Sequence, residues 1–296
     1  MEHENHHQNL DKVSFAGLLI ALGIVFGDIG TSPLYVFSAI VGTRKIDPVL
    51  ILGGFSAVFW TLTLQTSLKY VLFVLSADNK GEGGVFSLYN LVKRYSGKWI
   101  MFPTLLGGSF ILAEGIITPP ISVSSAIEGL RIYSPDLPTI PIVIGILVMI
   151  FVAQQFGTQA IGKLFGPVMM GWFTFIAAMG LMSFVQDLSV LKALNPYYAY
   201  KLLAEYPHGF LLLGAVFLCT TGAEALYSDM GHAGRSNIRI SWIYVKICLL
   251  LNYAGQTAWL LSKSGTQLEG TTPFYGIVPP VILPIAIIIA TLAAII

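Results

Sequence analysis

Apolar runs close to the length of a bilayer recur along the whole chain. A helix needs about 20 apolar residues to cross the hydrocarbon core, and eight runs near that length can be traced. Their apolar residues repeat with helical periodicity or are continuous, without the ten-residue alternation of a transmembrane barrel. The runs cover residues 14–41, 49–75, 99–127, 139–156, 161–185, 208–230, 240–262 and 277–296. They predict an all-α polytopic membrane protein in which residues 13–296 form one transmembrane domain of about eight spans.

Composition agrees with a membrane protein. Of the 296 residues, 55% are hydrophobic and 10% are charged, whereas a soluble protein carries about 25% charged residues. The net charge of +1 gives no indication of a nucleic acid or another polyanion as a partner. Both cysteines, Cys219 and Cys248, lie in predicted spans, which argues against a disulfide framework. The partner that composition does imply is the lipid bilayer.

The distribution of lysine and arginine predicts how the chain is oriented. With the N-terminus in the cytoplasm, nine of these residues flank spans on the cytoplasmic side and six flank spans on the outer side. The nine are Lys12, Lys69, Lys80, Lys93, Arg94, Lys98, Lys163, Arg235 and Arg239, and the six are Arg44, Lys45, Arg131, Lys192, Lys201 and Lys263. This modest bias, and a polar head at residues 1–12 without a cleavage signature, predict a cytoplasmic N-terminal tail. Since the last run reaches Ile296 without a polar flank, we also expect the chain to be the N-terminal part of a longer protein.

The first run contains a carboxylate near its middle, in the stretch FGDIGTSPLY at residues 26–35. An aspartate at that depth costs about 2.5–3.5 kcal/mol on insertion scales, so Asp28 is expected to face a cavity, a partner or an ion. Gly27, Gly30 and Pro33 weaken helical hydrogen bonding at the same place. Together they predict a discontinuous helix around a polar site. The alternative is a simple kink in which Asp28 is hydrogen-bonded to a neighbouring span.

A second segment of the same kind lies in the sixth run, CTTGAEALYSDMGHAG at residues 219–234. It combines the hydroxyls of Thr220 and Thr221 with Gly222 and Glu224, and a Leu-Tyr pair follows, as it does in the first run. Two glycine-interrupted spans are typical of paired repeats that bind a substrate at their interface. The similarity is one of composition, and chance remains the alternative explanation.

The third run supplies a further acid with two hydroxyls. Glu114, Thr118 and Ser122 are spaced by four residues, which places them within an arc of about 80° on one helix face. Pro119 and Pro120 are expected to loosen the backbone and to free a carbonyl for a ligand. A purely structural role for Glu114 is the alternative. Carboxylate, hydroxyl and carbonyl oxygens suit a hard cation, and because carboxylates also carry protons, the residues alone leave metal ion and proton open.

Residues 76–98 lie between the second and third runs and are polar. They predict a cytoplasmic turn followed by an amphipathic helix, with Lys93 and Arg94 near lipid headgroups. The apolar side of that helix is expected to carry Val85, Leu88, Leu91 and Val92. Its GEGG sequence is not followed by Lys-Ser or Lys-Thr and does not predict a nucleotide site.

Five long motifs resemble the KUP family of potassium-uptake permeases. They are GDIGTSPLY, ADNKGEGGVFSL, GSFILAEGIITPPISVSSAIEGL, ALNPYYA and TGAEALYSDMGH, and the resemblance extends from residue 13 to the end. It implies the fold of the amino acid–polyamine–organocation superfamily, with two inverted five-helix repeats whose first and sixth helices are broken. It also implies a secondary active importer of K⁺ together with H⁺ in the cell membrane, neither an enzyme nor dependent on a cofactor. Whether it forms a homodimer is left open.

The resemblance also assigns roles to residues by position. Those that match the potassium site are Asp28 and Tyr35 in the first span, Thr118 and Ser122 in the third, and Thr221 and Glu224 in the sixth. Glu114 matches a family acid implicated in transport or proton coupling, and Asp28 and Glu224 are further candidates for carrying a proton. No metal site other than that for potassium is expected.

Three other functions compete with this interpretation. An intramembrane aspartyl protease would need a Gly-x-Gly-Asp setting, whereas Val25 stands where the first glycine would be. A channel would be expected to show a carbonyl-filter sequence, and none occurs. An amino-acid or polyamine transporter of the same superfamily is the nearest alternative. Asp28 argues against an amino acid because it would repel the substrate carboxylate.

Overall fold

The computed structural model describes residues 12–79, 81–155, 159–268 and 270–296. Within these ranges the regular secondary structure is entirely helical, with one isolated bridge between Asn79 and Glu82. The prediction of an all-α membrane domain is confirmed for this part of the chain. Residues 1–11 of the predicted tail lie outside the described residues, as do Lys80 and the side chain of Lys163.

Eight helical segments coincide with the eight apolar runs. The first comprises Phe15–Val25 and Gly27–Leu34, continued by Val36–Val41; the second to fourth are Pro48–Ser76, Lys98–Ile132 and Thr139–Gln154; the fifth to eighth are Gln159–Phe184, Gly209–Ser228, Arg235–Ser262 and Leu283–Ile295. In the described part of the chain, four helices are long and apolar enough to cross a membrane, and a fifth is obtained when the bent first segment is counted as one. The predicted number of eight spans is therefore not confirmed.

Polar residues mark where several of these helices begin. Ser14 caps the first segment by accepting a hydrogen bond from the Gly17 N–H at 3.0 Å. Asp47 does the same for the second segment, accepting from the Val49 N–H at 2.6 Å, and Pro48 occupies the first helical position. Both arrangements satisfy amide groups that have no partner inside the helix.

Glycines let the fifth segment approach the first and seventh segments closely. A Cβ added at Gly166 would overlap the backbone of Leu19 in the first segment. A Cβ added at Gly180 would overlap the backbone of Asn252 in the seventh segment. Small residues at helix crossings are typical of membrane proteins, in which van der Waals packing drives association. The Asn252 amide also donates to the Ile176 carbonyl at 2.8 Å.

We expect Gly180→Val to destabilise the protein. Overpacking costs about 1–3 kcal/mol, and the neighbour here is backbone that cannot rotate away. The apparent melting temperature in detergent should fall by about 5–10 °C. Gly171→Val is the matched control, because Gly171 lies in the same helix and an added Cβ would meet nothing within 4 Å. Equal melting temperatures for the two variants would contradict this packing.

The amphipathic helix predicted after the second span is present as Val85–Val92. It begins after Gly84, whose positive φ of 92° turns the chain into the helix. It packs against the beginning of the third segment, where Phe86 and Val85 contact positions Gly108 and Gly107. This helix therefore covers one end of the third segment, the segment that carries Glu114.

Candidate functional site

The first segment is broken, as its sequence predicts. The π-helical turn Ala21–Val25 ends at Phe26, with φ −106° and ψ 8°, and the two halves meet at 68°. A short helix Gly27–Thr31 and a 3-10 turn Ser32–Leu34 follow, and Tyr35 leaves helical geometry with φ −129°. Pro33 is accommodated inside the 3-10 turn, where its missing N–H costs little. The break therefore lies directly before Gly27 and Asp28.

Side chains from other segments satisfy the polar groups of this broken stretch. The Trp172 indole donates to the Gly30 carbonyl at 2.8 Å, and the Gln256 amide donates to the Pro33 carbonyl at 2.9 Å. The hydroxyls of Ser32 and Tyr253 are hydrogen-bonded at 2.9 Å. Sequence reasoning missed Trp172, Tyr253 and Gln256. For Tyr253 and Gln256, polar side chains within the apolar seventh run were the available signal, whereas Trp172 lies in the fifth run.

The sixth segment is unwound at the predicted place. Thr221 is extended, with φ −53° and ψ 131°, and Gly222 has φ 81°, which glycine adopts without strain. The Gly222 N–H donates to Glu114 Oε1 at 3.2 Å, and a Cβ added at Gly222 would overlap the Asp28 side chain. The first, third and sixth segments therefore meet at Gly222, where a backbone amide donates a hydrogen bond to a carboxylate.

The third segment differs from expectation at its two prolines. Met101–Ile127 is one continuous α-helix that passes through Pro119 and Pro120, so the predicted loosening of the backbone is wrong. The prolines still lack N–H groups, which leaves two carbonyls of the preceding turn without a helical partner. The predicted face is real, because Thr118 and Ser122 are both buried and Glu114 is half-buried.

Hydroxyls connect the third segment to the first. The Ser122 and Thr31 hydroxyls are hydrogen-bonded at 3.1 Å. Thr31 Oγ1 also donates to the Asp28 carbonyl at 2.9 Å. The Tyr35 hydroxyl interacts with the hydroxyls of both Thr31 and Thr221. This network holds oxygen atoms of three segments together at the break.

Two cavities follow each other along the third segment. The first, here called the hydroxyl cavity, has a volume of about 270 Å³ and is lined by Tyr35, Phe110, Ala113, Glu114, Ile117, Thr118, Ile121, Leu218 and Thr221. The second, the loop-side cavity, has about 380 Å³ and is lined by Lys69, Tyr70, Val74, Gly84, Val85, Leu88, Gly107, Phe110, Ile111, Glu114, Glu224, Tyr227 and Ser228. Phe110 and Glu114 line both. From Gly107 to Ile121 the two cavities cover about 20 Å of helix.

The three acids lie close enough to act on one another. The carboxyl groups of Glu114 and Glu224 are hydrogen-bonded, and both interact electrostatically with Asp28. Glu114 and Glu224 are half-buried, whereas the Asp28 side chain is exposed in this part of the protein. Among the described residues, the acids form no cluster of His, Cys, Asp or Glu that could hold a metal ion by itself. A cation here would therefore depend on hydroxyl and carbonyl oxygens as well.

The end of the second segment and the loop that follows it are fastened to the far half of the sixth segment and to the beginning of the seventh. The Tyr227 hydroxyl donates to the Ala77 carbonyl, and Arg235 forms an ion pair with Asp78 at 3.8 Å. Arg239 donates to the Val71 carbonyl at 3.1 Å. A Cβ added at Gly83 would overlap the Tyr227 carbonyl, so close packing accounts for this glycine of GEGG without a bound phosphate.

The sequence matches one protein family along nearly its full length. The family model for the K⁺ potassium transporter integral membrane domain matches residues 15–296. No solved structure matches the chain.

Curated relatives agree with this match. The chain is 58% identical to "Probable potassium transport system protein Kup" of Flavobacterium psychrophilum, covering 100% of this chain and 46% of the relative. It is also 58% identical to the Cytophaga hutchinsonii protein of that name and 50% identical to "Probable potassium transport system protein Kup 2" of Lactococcus lactis. These alignments cover 99% and 98% of this chain and 45% of each relative. The chain thus spans slightly less than half the length of these relatives, and the resemblance to KUP permeases is confirmed. The chain belongs to the K⁺ potassium transporter family.

Proposed function

We propose that the full-length protein imports K⁺ as a secondary active transporter. The observation that carries the proposal is the hydroxyl cavity, where Tyr35, Thr118 and Thr221 come from three segments and meet the Glu114 carboxylate. A hard, weakly hydrated cation can exchange its water for such oxygens, and the acids compensate its charge. Relatives named as potassium transport proteins support K⁺ as that cation.

The individual residues supply two kinds of ligand in this proposal. Asp28 and Glu224 contribute negative charge at the two breaks. Neutral oxygen ligands come from Tyr35, Thr118 and Thr221, and Ser122 supports them. Ser122 does not line the hydroxyl cavity itself but is hydrogen-bonded to Thr31, so it acts by orienting the hydroxyls of the first segment.

Proton coupling is proposed for the carboxyl groups, with Glu114 as the main carrier. Glu114 and Glu224 are hydrogen-bonded to each other, and two carboxyl groups in that geometry share a proton. In symport, K⁺ binds to the neutral oxygens while the pair still holds this proton, so that both ions are carried across the membrane together. Asp28 and Glu224 are further proton-carrying groups in this proposal.

The fold and orientation are part of the proposal. Breaks at Phe26 and at Thr221–Gly222 support an inverted-repeat transporter whose first and sixth helices are discontinuous. We place the protein in the cell membrane with its N-terminus in the cytoplasm. In that orientation the loop-side cavity opens toward the cytoplasm and the hydroxyl cavity lies deeper in the membrane.

Rubidium uptake tests the proposal. The full-length protein is expressed in cells that lack their own K⁺ importers, and ⁸⁶Rb⁺ uptake is measured at two external pH values. We expect saturable uptake that is faster at the lower pH, because an inward proton gradient drives symport. An empty vector is the control. pH-dependent uptake of an amino acid or a polyamine without Rb⁺ uptake would show that the substrate is wrong.

A further inference from the structure

The loop-side cavity contains a basic side chain that the proposed site does not use. Lys69, in the second segment, lines this cavity together with Glu114 and Glu224. It is the one cationic side chain among the described residues that line either cavity. A positive charge on the route of a cation calls for a physical explanation, because it repels the ion that has to pass.

The position of the Lys69 ammonium is defined by an aromatic ring. Its Nζ lies 5.1 Å from the centroid of the Tyr70 ring, within the range of a cation–π interaction. Tyr70 in turn lies within electrostatic reach of Glu224 and Glu114 and lines the same cavity. The Lys69 ammonium therefore lies over the Tyr70 ring, and the Tyr70 side chain is in turn within electrostatic reach of the Glu114 and Glu224 carboxylates.

The ammonium shares this cavity with the carboxylates without being bound to them. Lys69, Glu114 and Glu224 all line the volume of about 380 Å³. Among the described residues, Lys69 forms no ion pair with a carboxylate within 4.0 Å. Its four-carbon stem is flexible, so the ammonium can move within the cavity.

We propose that Lys69 is a tethered cation that competes with K⁺ for the Glu114 and Glu224 carboxylates from the loop side. When K⁺ leaves through the loop-side cavity, the ammonium moves from the Tyr70 ring toward these carboxylates. It then lowers the affinity of the site for K⁺ arriving from the same side. Rebinding of K⁺ from that side is thereby weakened, while binding from the other side is unaffected. This inference rests on the proposed K⁺ transport.

The affinity of each side for K⁺ tests the inference. Full-length protein is reconstituted in liposomes, and the half-saturating K⁺ concentration is measured separately on the loop side and on the opposite side by ⁸⁶Rb⁺ exchange. We expect Lys69→Met to lower the loop-side value on the order of tenfold and to leave the opposite value unchanged, because one repulsive charge is removed from one side. Lys69→Arg keeps the charge and should retain the wild-type asymmetry.

Lys93→Met is the matched control. Lys93 also lies over a tyrosine ring, 5.8 Å from the Tyr89 centroid, but it does not line either cavity. Its replacement should change neither value. If Lys69→Met does not fold, Lys69→Gln removes the same charge with a polar side chain and should lower the loop-side half-saturating K⁺ concentration in the same way.

The outcomes separate this inference from the proposed function. Unchanged loop-side affinity in the Lys69 variants, or equal changes on both sides, overturns the tethered cation while K⁺ transport stands. Absence of Rb⁺ exchange in the wild-type protein overturns the proposed function, and the role of Lys69 with it.

Discussion

Replacing Glu224 by glutamine is expected to abolish K⁺ uptake by the full-length protein. Glu224 adjoins the unwound Thr221–Gly222 backbone and is hydrogen-bonded to Glu114, so in the proposed function its carboxylate compensates the charge of the bound ion. Two unit charges about 4 Å apart attract by about 4 kcal/mol at an effective dielectric constant of about 20. Loss of half of that energy lowers the affinity about 30-fold. Uptake of ⁸⁶Rb⁺ at several K⁺ concentrations measures the effect.

Asp28→Asn and Glu205→Gln complete this experiment. Asp28→Asn removes the charge at the other break and should also abolish uptake. Glu205→Gln is the control: Glu205 is exposed at the end of the helix Tyr197–Glu205 and lines neither cavity, so its replacement should leave uptake unchanged. All variants must reach the membrane in equal amounts, which immunoblotting of the membrane fraction checks. Full activity of Asp28→Asn or Glu224→Gln would remove that residue from the potassium site.

The smallest possible side chain at Gly222 is expected to have a comparably large effect. Gly222→Ala introduces a methyl group where φ is 81° and where the new carbon would overlap the Asp28 side chain. Strain from the positive φ and overpacking together cost about 2 kcal/mol or more. The sixth segment must then move away from the first, which also breaks the 3.2 Å hydrogen bond to Glu114. We expect at least a tenfold loss of ⁸⁶Rb⁺ uptake.

Gly214→Ala is the control for this substitution. Gly214 lies in the same segment, and an added Cβ there meets nothing within 4 Å. Alanine at this position should be neutral in uptake and in membrane content. If Gly222→Ala transports as well as Gly214→Ala, the close approach of the first and sixth segments is not required for transport.

The two large effects have a common structural origin. The Gly222 N–H donates a hydrogen bond to the Glu114 carboxylate of the third segment. Because Gly222 has no side chain, Asp28 of the first segment can approach its backbone closely. The site is thus assembled by a contact between segments, and no single segment contains it. A substitution that displaces one of these three segments should also displace the other two, because polar groups of the three segments are hydrogen-bonded to one another.

Local sequence patterns were sufficient for the helices and for the residue types that meet at the candidate site. Apolar periodicity located all eight helical segments, and the paired glycine-rich stretches with Asp28 and Glu224 identified the two that are broken. The spacing of Glu114, Thr118 and Ser122 gave the correct face of the third segment. These features are set by residues within one or two helical turns, so a sequence read locally contains them.

Other features of the same segments were not predictable in this way. The break falls at Phe26, where the π-helical turn ends, and the helix runs on through Pro119 and Pro120. Packing against neighbours decides whether a weakened helix bends, and packing overrides local propensity. The number of spans inferred from hydropathy also exceeds the number of described helices that meet the length and apolarity of a span, since Thr139–Val152 and Leu283–Ile295 are apolar but short.

By itself, the sequence determined the family, the helical membrane architecture and the residue types available for a cation. Only the tertiary structure decided which of them meet. Glu114 and the Gly222 amide are 108 residues apart, the hydroxyls of Ser32 and Tyr253 are separated by 221 residues, and Lys69 enters the cavity of Glu224 from another segment. Such contacts depend on how the segments cross. Crossing is fixed by close packing between helices at positions such as Gly166, Gly180 and Gly222, which no local periodicity encodes.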